Sequence, residues 1–426
     1  MQLTTGFLAV FLVLFSPFAS FADERLNQAI ELFDKGQFLQ SLEAFKPFEQ
    51  KGDPTAQAYV GYMLATGSAG FTNMGEARRL LQSAAEQGNT SIVAQLADLY
   101  RDGEGGPQDL YLAASWYEVA ATANQPYAQF QLARLMLLGF AGEIDQARAK
   151  GLLETAAAAG NDEAIRYLEA FERPARWAEA ERYFNGANYE EAARAFLPMA
   201  LRGSMLAGRR YAQSLLPMRW EKDVRRETVF WFSATAWRGD DVSQYELYKV
   251  YSTGELVIAT RATMEISMFW LREAAEQGLP EAEYVYGLDF LYTLKFARAF
   301  PYFLRAAKSG HLMAQVELAK LLADPQGGKY INYDAAFAWL NNAAAAGNPE
   351  AQYELSLMYA RTDVNQINYT KAFMWAWISS QLSTGRVKRR SDRWIEKMMY
   401  QIGPEERQKA VELGRAWMQK TLGDAF

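Results

Sequence analysis

The amino-acid sequence predicts an all-α fold, an α-solenoid of about ten helical hairpins with C-terminal capping helices. Three observations predict it: a unit that recurs about every 36 residues, apolar side chains at fixed offsets within that unit, and helix-stop and helix-start residues at its boundary. Two helices of roughly 12 to 14 residues each and two short turns account for such a period. Each hairpin packs mainly on its neighbours, so the 426-residue length sets no domain count by itself.

One residue marks the end of each repeat, and it is glycine in eight of ten units. Glycine ends a helix by adopting the left-handed conformation that other residues find costly. The step between successive markers is 36 residues in five of nine cases and lies between 32 and 43 in the others. Asp53-Pro54 and Asn348-Pro349 predict the start of the next helix, as a capping side chain followed by proline in the first turn. The markers are Gly52, Gly88, Asn124, Gly160, Gly203, Gly239, Gly278, Gly310, Gly347 and Ser383.

Apolar side chains recur eight and twelve residues after the marker in nearly every unit. Residues four apart share one helix face, so these pairs are predicted to form the inner seam of the core. Five of the eleven tryptophans recur eight residues before a marker, and we predict that they are core residues of the second helix rather than a binding stripe. The pairs are Val60/Leu64, Leu96/Tyr100, Leu132/Met136, Leu247/Tyr251, Tyr286/Phe290, Leu318/Leu322 and Leu355/Tyr359, and the tryptophans are Trp116, Trp231, Trp270, Trp339 and Trp375.

Residues 336–347 show the motif AxxWxxxAAxxG, and AQYELSLMY follows from Ala351. This pattern resembles the Sel-1-like repeat family, a branch of the tetratricopeptide-repeat superfamily, over about residues 26–382. The resemblance implies a right-handed superhelix whose concave surface serves an adaptor or regulator in protein complexes, in bacteria often at the cell envelope. Two stretches depart from the pattern: residues 279–310 lack the usual glycine-rich turn, and residues 204–238 carry LPMRW from Leu216 in its place.

The first residues predict export. An uninterrupted apolar run spans residues 6–15, and Ser20-Phe21-Ala22 has the small-x-small pattern of a cleavage site, so residues 1–22 are predicted to be a signal peptide. The five residues before the run carry no Lys or Arg, which is unusual for a signal. An uncleaved anchor is the alternative, but the run is shorter than the roughly 20 residues that a bilayer requires. With no cysteine in the chain, we expect a soluble periplasmic protein without disulfides.

The longest step between markers, from residue 160 to 203, contains Pro174, which is expected to break a helix. Residues 184–203 then echo residues 33–52 at a constant offset of 151. We therefore predict a first repeat array at residues 23–172 and a second at 175–385, with one continuous superhelix as the alternative.

Residues 386–426 are predicted to be capping helices, one at 391–401 and one from Pro404, with an apolar stripe at Ala410, Leu413 and Trp417.

Composition excludes several functions. The net charge of −6 and the pI of about 5.3 argue against nucleic acid as a partner. The chain contains one histidine and no cysteine. It therefore has no pair of histidines to bind zinc, no cysteine-rich zinc site and no cysteine nucleophile. His311 directly follows marker Gly310, so we predict a helix cap rather than a catalytic base. No catalytic, cofactor-binding or metal-binding residue is predicted, and we expect a protein that is not an enzyme.

Two groups of residues are candidates for partner binding. Trp220 and Trp237 lie outside the repeat positions and next to Arg219 and Arg238, and tryptophan and arginine are common interface anchors. Packing against the irregular turn is the alternative. The basic run at residues 386–390 includes Arg389 and Arg390, which are expected to bind an acidic partner or an anionic membrane surface. A solvated turn before the capping helices is the alternative there.

The sequence thus predicts a scaffold or regulator of the cell envelope that binds a partner protein along the concave face. Stacked hairpins leave a long groove whose exposed side chains vary without disturbing the core. A structural component of an envelope polysaccharide or secretion assembly is the second hypothesis. A carboxylate-dependent cell-wall enzyme is the third, and it requires a groove carboxylate whose replacement abolishes turnover.

Overall fold

The computed structural model describes residues 17–254, 261–324, 330–362 and 367–423. These residues form 23 α-helices and one short 3-10 helix, Leu216–Met218, and no strand is found among them. The helices are α1 Pro17–Asp34, α2 Phe38–Glu49, α3 Pro54–Thr66, α4 Met74–Glu86, α5 Val93–Asp102, α6 Leu110–Thr122, α7 Pro126–Leu137, α8 Gln146–Ala158, α9 Asp162–Glu172, α10 Trp177–Asn185, α11 Tyr189–Leu201, α12 Met205–Leu215, α13 Lys222–Trp237, α14 Asp241–Thr253, α15 Arg261–Glu276, α16 Pro280–Tyr292, α17 Phe296–Lys308, α18 Leu312–Ala323, α19 Tyr333–Ala345, α20 Pro349–Tyr359, α21 Tyr369–Leu382, α22 Gly385–Met398 and α23 Pro404–Leu422.

Consecutive helices pair into ten hairpins, which confirms the predicted solenoid of helical repeats. Eight helices from α1 to α8 form four hairpins, α9 stands alone, and α10 to α21 form six more. Helices α22 and α23 pack against α21 at the end of this series and are the capping helices. Most of the predicted signal peptide lies outside the described residues, and α1 runs across the predicted cleavage position after Ala22.

The repeat markers behave as the sequence predicts at nine of ten positions. All eight marker glycines have positive φ, between 82° and 93°, and Asn124 has a φ of 56°. At Ser383 the prediction is wrong, because this residue is extended with a φ of −114° and the left-handed residue is Gly385. The offset of 151 residues is visible in the backbone, since Gly36 and the matching Ala187 both have positive φ.

The predicted helix starts are confirmed in their hydrogen bonds. The Ala56 backbone N–H donates to Asp53 Oδ1 at 2.9 Å, and the Ala351 N–H donates to Asn348 Oδ1 at the same distance. His311 is also a cap, because its Nδ1 accepts the Ala314 N–H at 3.1 Å. Its ring stacks on Tyr284 with 4.6 Å between centroids, so the single histidine has a local structural role.

This cap makes stability depend on pH in a way that a His311→Asn variant removes. Burial lowers the pKa of His311 below its ordinary 6.5, and the nearby Glu281 opposes that shift only in part. As the pH falls, His311 is therefore protonated in the unfolded chain before it is protonated in the folded protein. The cap stabilises the folded protein fully above about pH 6.5. This stabilisation is lost as the pH falls through the lower pKa of the folded protein. Asparagine accepts the same bond without titrating, so we expect the wild type to lose up to about 1 kcal/mol relative to the variant in that window. Denaturant unfolding of both proteins from pH 8 to pH 5 measures this, and parallel profiles would show that the cap does not titrate.

The core follows the predicted seam. Twelve of the fourteen seam side chains are buried, and only Tyr286 and Phe290 are partly exposed. Trp231, Trp270 and Trp375 are buried as predicted, whereas Trp116 and Trp339 are partly exposed. In those two hairpins the next residue, Tyr117 or Leu340, takes the buried position.

Both irregular stretches keep the hairpin but change its turn. In the α16–α17 hairpin the non-glycine residue Leu294 adopts a φ of 57° and replaces the usual glycine. The helices approach closely at Gly287, where an added Cβ would lie 2.8 Å from the Phe303 ring. In the α12–α13 hairpin the 3-10 helix fills the turn, because Pro217 is compatible with its first turn but not with a continued α-helix.

The chain divides into two compact units at residues 234/235, inside α13: unit 1 is Met1–Ala234 and unit 2 is Thr235–Phe426. The predicted break at Pro174 does separate two helices, since α9 ends at Glu172 and α10 begins at Trp177. Arg202 bridges this break by donating to the carbonyls of Phe171 and Arg173, at 2.8 and 2.6 Å. The compact units therefore do not coincide with the two arrays, which describe sequence similarity and stay a prediction.

The C-terminal helices differ from the sequence expectation in two details. Helix α22 begins at Gly385 instead of Ser391, so the basic run is helical and not a solvated turn. Arginine and lysine are good helix formers, and no proline or glycine interrupts residues 386–398. In α23, Ala410 is buried but Leu413 is 45% exposed, and Met418 instead contributes to the core.

Candidate partner-binding groove

The second half of α13 within unit 1 is mostly apolar, with the sequence TVFWFSA at residues 228–234. Six of these seven residues are buried, including Phe230, Trp231 and Phe232. An α-helix that is apolar all round is buried on all sides. Helix α13 is therefore not an ordinary outer helix of the repeat stack.

One turn earlier, the carboxylate of Glu227 connects α13 to an earlier repeat. Arg134 in the last turn of α7 donates to Glu227 Oε2 at 2.6 Å, and its guanidinium carbon lies 3.7 Å from the centre of the Phe230 ring. Arg134 is 5% exposed. A buried arginine is tolerated when its charge is paired and its flat face is covered, and α13 supplies both.

The other carboxylate oxygen of Glu227 accepts hydrogen bonds from three aromatic side chains. Tyr167 of α9 donates through its hydroxyl at 2.5 Å, Trp231 through Nε1 at 2.8 Å, and Tyr211 of α12 through its hydroxyl at 3.5 Å. Glu227 thus joins α7, α9 and α12 around α13. Charge-assisted hydrogen bonds of this kind fix side-chain geometry more firmly than neutral ones.

Burial and neighbouring charges shift the proton equilibria of this network. Burial and the adjacent Glu227 raise the pKa of Tyr167 and of Tyr211 well above the ordinary value, although Arg134 acts in the opposite direction. Burial opposes the charge of Arg134, but Glu227 and Tyr167 outweigh it and raise the pKa of Arg134. The tyrosines are therefore neutral donors and the arginine is a cation at physiological pH.

Helix α7 shows the consequence of this contact. All residues from Ala128 to Leu137 are buried, so the helix has no open face. In a simple stack of hairpins the first helix of each repeat exposes one face. In unit 1, Glu227 and Phe230 of α13 lie against Arg134 of α7, so we infer that α13 covers part of that face.

Beside α13 an open groove of about 720 Å³ remains in unit 1, lined by α9, α11, α12 and the first turns of α13. Tyr167, Tyr211 and Glu227 form its floor. Its carboxylates are Glu163, Glu169, Glu190, Glu221, Asp223 and Glu227, and its arginines are Arg166, Arg173 and Arg194. Acidic side chains therefore outnumber basic ones two to one.

Each arginine of the groove pairs with a glutamate three or four residues before it. Arg166 lies 3.9 Å from Glu163, Arg173 lies 3.5 Å from Glu169, and Arg194 lies 2.5 Å from Glu190. Exposed pairs of this kind contribute little to stability. Glu221 and Asp223 are exposed and form no ion pair within the described ranges, so the mouth beside α13 is acidic.

A second buried network lies on α5. Arg101, 8% exposed, donates to both oxygens of Asp102 at 2.7 and 2.6 Å and to the hydroxyls of Tyr117 and Tyr127 at 3.0 and 2.9 Å. Both tyrosines in turn donate to Asp98, at 2.5 and 2.7 Å. Burial raises the pKa of Tyr127 to about 12, although Arg101 opposes the shift. This network satisfies its own groups and braces α5, α6 and α7.

The predicted site residues do not line the groove. Trp220 is 80% exposed in unit 1, and the Arg219 guanidinium lies 5.0 Å from its ring and donates to the Leu216 carbonyl at 3.2 Å. In unit 2, Trp237 is 41% exposed with its ring 5.0 Å from that of Trp270, and the adjacent Arg238 is partly buried.

The two arginines of the basic run have different surroundings. Arg389 is exposed, whereas Arg390 donates to Glu350 at 2.5 Å and to Glu354 at 2.9 Å. Arg390 thus holds α22 against α20. Which of the predicted residues bind a partner stays a prediction.

Sequence reasoning missed Arg134, Tyr167, Tyr211 and Glu227. The available signal was a single charge inside an apolar run, since Arg134 stands in LARLMLL at residues 132–138. A charge in such a run requires a buried partner. No pattern in the sequence shows that this partner stands 93 residues later.

The described residues offer neither a metal site nor a membrane-spanning helix. Over the described ranges, no cluster of three or more acidic, histidine or cysteine side chains is arranged to hold a metal ion. None of the described helices combines the length and the apolar character needed to cross a bilayer.

The amino-acid sequence matches the model of a known protein family. The Sel1 repeat model matches seven segments that together cover about half of the chain, namely residues 54–89, 93–125, 126–161, 264–279, 281–311, 312–348 and 349–376. Chitin synthase regulatory factor 3 of Schizosaccharomyces pombe is 26% identical over 305 residues, which cover 68% of this chain and 31% of that protein. An exopolysaccharide production negative regulator of Rhizobium leguminosarum bv. viciae is 28% identical over 147 residues, covering 31% of this chain and 55% of that protein.

The aligned part of this chain covers less than two thirds of each of those relatives. Among solved structures, a protective antigen of uropathogenic Escherichia coli strains with an SLR fold aligns at 22% identity and a TM-score of 0.49, over 95% of this chain and 85% of that chain. The family match is interrupted between residues 161 and 264, and the groove and α13 lie within that interval. With seven matched repeats on a scaffold of ten helical hairpins, the chain belongs to the Sel1 repeat family.

Proposed function

We propose that this protein is a non-enzymatic scaffold or regulator that binds a segment of a partner protein in the groove of unit 1. The observation that carries the proposal is the groove itself, an open cavity of about 720 Å³ above a floor of buried, mutually bonded side chains. A rigid floor with variable, exposed walls is the arrangement that repeat proteins use for recognition.

The charge of the groove defines the partner. Glu221 and Asp223 stand at its mouth, and each arginine of the walls already has an acidic neighbour. A partner segment with lysine or arginine side chains complements these acids, and electrostatic complementarity of this kind favours fast and selective binding. The binding is therefore expected to weaken as salt concentration rises.

The location of the complex is part of the proposal. The apolar run and cleavage pattern of residues 1–22 support export, and we place the protein in the periplasm as a soluble component of the cell envelope. Detection of the mature chain, beginning at Asp23, in a periplasmic fraction supports this placement. Retention of the whole chain in the cytoplasm contradicts it.

A stable structural role in a polysaccharide or secretion assembly is the second candidate. Its support is that the two curated relatives are named for chitin synthase regulation and for exopolysaccharide production. A permanent assembly would retain the protein in envelope complexes through high-salt washing, whereas a regulator that binds through the acidic mouth would be released.

Catalysis by the floor carboxylate Glu227 or by the paired wall carboxylates has a structural argument against it. Both oxygens of Glu227, the carboxylate at the floor, already accept hydrogen bonds. The wall carboxylates Glu163, Glu169 and Glu190 each lie beside an arginine. An acid or base needs a free oxygen directed at the reacting group, and this floor offers none.

Site-specific photo-crosslinking in living cells tests the groove. A photoreactive amino acid replaces Glu169 or Glu190 on the groove walls, and in matched controls it replaces Ser115 of α6 or Glu154 of α8, which are also exposed. We expect the groove positions to yield one recurrent protein adduct by mass spectrometry and the control positions to yield none.

A second arm uses the acidic mouth, and Glu221→Gln with Asp223→Asn is expected to reduce the adduct several-fold because two attractive charges are lost. Equal adducts from groove and control positions would contradict the proposal. An adduct that is insensitive to these two substitutions would contradict the charge argument.

A further inference from the structure

Helix α22 carries four cationic side chains along one exposed face. We call them the basic row: Arg386, Arg389, Arg393 and Lys397, all exposed. Their spacing of three, four and four residues places them within about 80° of arc and along about 16 Å of helix axis. The opposite face, with Ser391 and Met398, is buried.

The row is free of the ion pairs that this helix forms elsewhere. In α22 the cations that pair with carboxylates are Lys388, 3.6 Å from Asp392, and Arg390, which holds Glu350 and Glu354. No carboxylate of the described residues lies within ion-pair distance of any member of the row. Glu396 is the one exposed acid on that side of α22, which leaves an excess of three positive charges.

Helix α22 is also firmly placed. Besides the two bonds of Arg390, Trp394 donates through Nε1 to Ser356 Oγ at 2.9 Å, and the hydroxyls of Ser379 and Ser391 are 2.9 Å apart. The row is thus presented on a fixed helix and not on a mobile tail. Binding through it costs little ordering entropy.

Two exposed side chains follow the row at the C-terminal end of α22. Tyr400 is 91% exposed and Met399 is 46% exposed, immediately after α22. A tyrosine with an apolar ring and a polar tip is suited to the boundary between lipid headgroups and acyl chains. The basic row is thus followed directly by Tyr400, an exposed side chain that is both apolar and polar.

We propose that the basic row binds a surface of anionic phospholipid. A straight row on an exposed helix face meets a plane of phosphates with all four cations at once. Each cation near such a surface strengthens binding about five-fold at low ionic strength. Since the whole chain carries a net charge of −6, the attraction is directional and orients α22 toward the membrane.

Vesicle co-sedimentation of the purified mature chain tests this proposal. The probes are vesicles of phosphatidylcholine alone and vesicles that also contain phosphatidylglycerol. The test variant changes Arg386, Arg389, Arg393 and Lys397 to Gln. The matched control changes Lys35, Lys51, Lys295 and Lys308 to Gln, so that both proteins lose four exposed charges. Circular dichroism confirms that both remain helical.

We expect the wild type and the control to bind the phosphatidylglycerol vesicles, to release them at high salt, and to leave phosphatidylcholine vesicles unbound. At low ionic strength the row variant is expected to bind about 600-fold more weakly, five-fold for each of the four cations. Equal binding by the row variant, an equal loss in the control, or no preference for the anionic vesicles would overturn the proposal. Binding of soluble polyglutamate without binding of vesicles would assign the row to an acidic protein instead.

Discussion

Replacement of Glu227 by alanine is expected to lower the free energy of unfolding of unit 1 by about 3–5 kcal/mol. The physical reason is that Arg134, 5% exposed, then keeps its charge without a carboxylate. The hydroxyls of Tyr167 and Tyr211 lose their acceptor at the same time. Denaturant unfolding followed by the amide exchange of α7 and α9 measures the loss within unit 1.

The control is Glu221→Ala, an exposed residue six positions before Glu227, with an expected change within about 0.5 kcal/mol. A double variant, Arg134→Met with Glu227→Leu, should recover part of the loss because it removes both buried charges. If Glu227→Ala were as stable as the control, the network would not hold α13 in place.

Replacement of Phe303 by alanine is expected to destabilise unit 2 by about 3–5 kcal/mol. Its ring is fully buried, and it packs on the glycine at position 287, where the two helices of the irregular hairpin approach most closely. With a glycine opposite, no side chain is available to refill the cavity. Amide exchange should report the loss in α16 and α17 and leave α3 to α7 in unit 1 protected.

The matched control is Tyr292→Ala, an aromatic residue of the same hairpin that is 79% exposed. Its expected effect lies within about 0.5 kcal/mol. Equal effects of the two substitutions would indicate that residues 280–308 form no specific core. Loss of protection throughout both units would show that they unfold as one.

Much of the fold could be predicted from interactions between residues that are close in sequence. The glycine or asparagine markers, the caps at Asp53 and Asn348, and the seam pairs each follow from interactions within one hairpin or between adjacent ones. Such short-range rules recur in every repeat, so one pattern predicts ten hairpins. The errors at Ser383 and Leu413 occur in the last helices, where the repeat ends and its rules no longer apply.

The candidate site could not be predicted from such short-range rules. It depends on contacts that skip several repeats, such as Arg134 with Glu227 and Tyr167 with Trp231. The sequence indicated only that residues 204–240 were irregular. Within that stretch, Glu227 and Phe230 of α13 contact Arg134 of α7, and the family match is interrupted there.

We therefore expect specific function in the part of the chain that departs from the family pattern. The regular repeats build the framework, α13 occupies part of its face, and the remaining groove is acidic and open. The basic row of α22 is independent of this groove and has its own test. Failure of one proposal leaves the other standing.

Thiol labelling tests the central claim, that α13 shields α7 from solvent in unit 1 while the groove beside it stays open. The chain contains no cysteine, so one introduced cysteine is the sole reactive thiol. Gln131 of α7 is 3% exposed and accepts a bond from Arg134 at 3.1 Å, whereas Glu169 on the groove wall is exposed. In the folded protein we predict that maleimide labels Gln131→Cys at least about tenfold more slowly than Glu169→Cys, and that adding Glu227→Ala removes much of the difference. Equal labelling rates at the two positions in the otherwise unchanged protein would contradict the account.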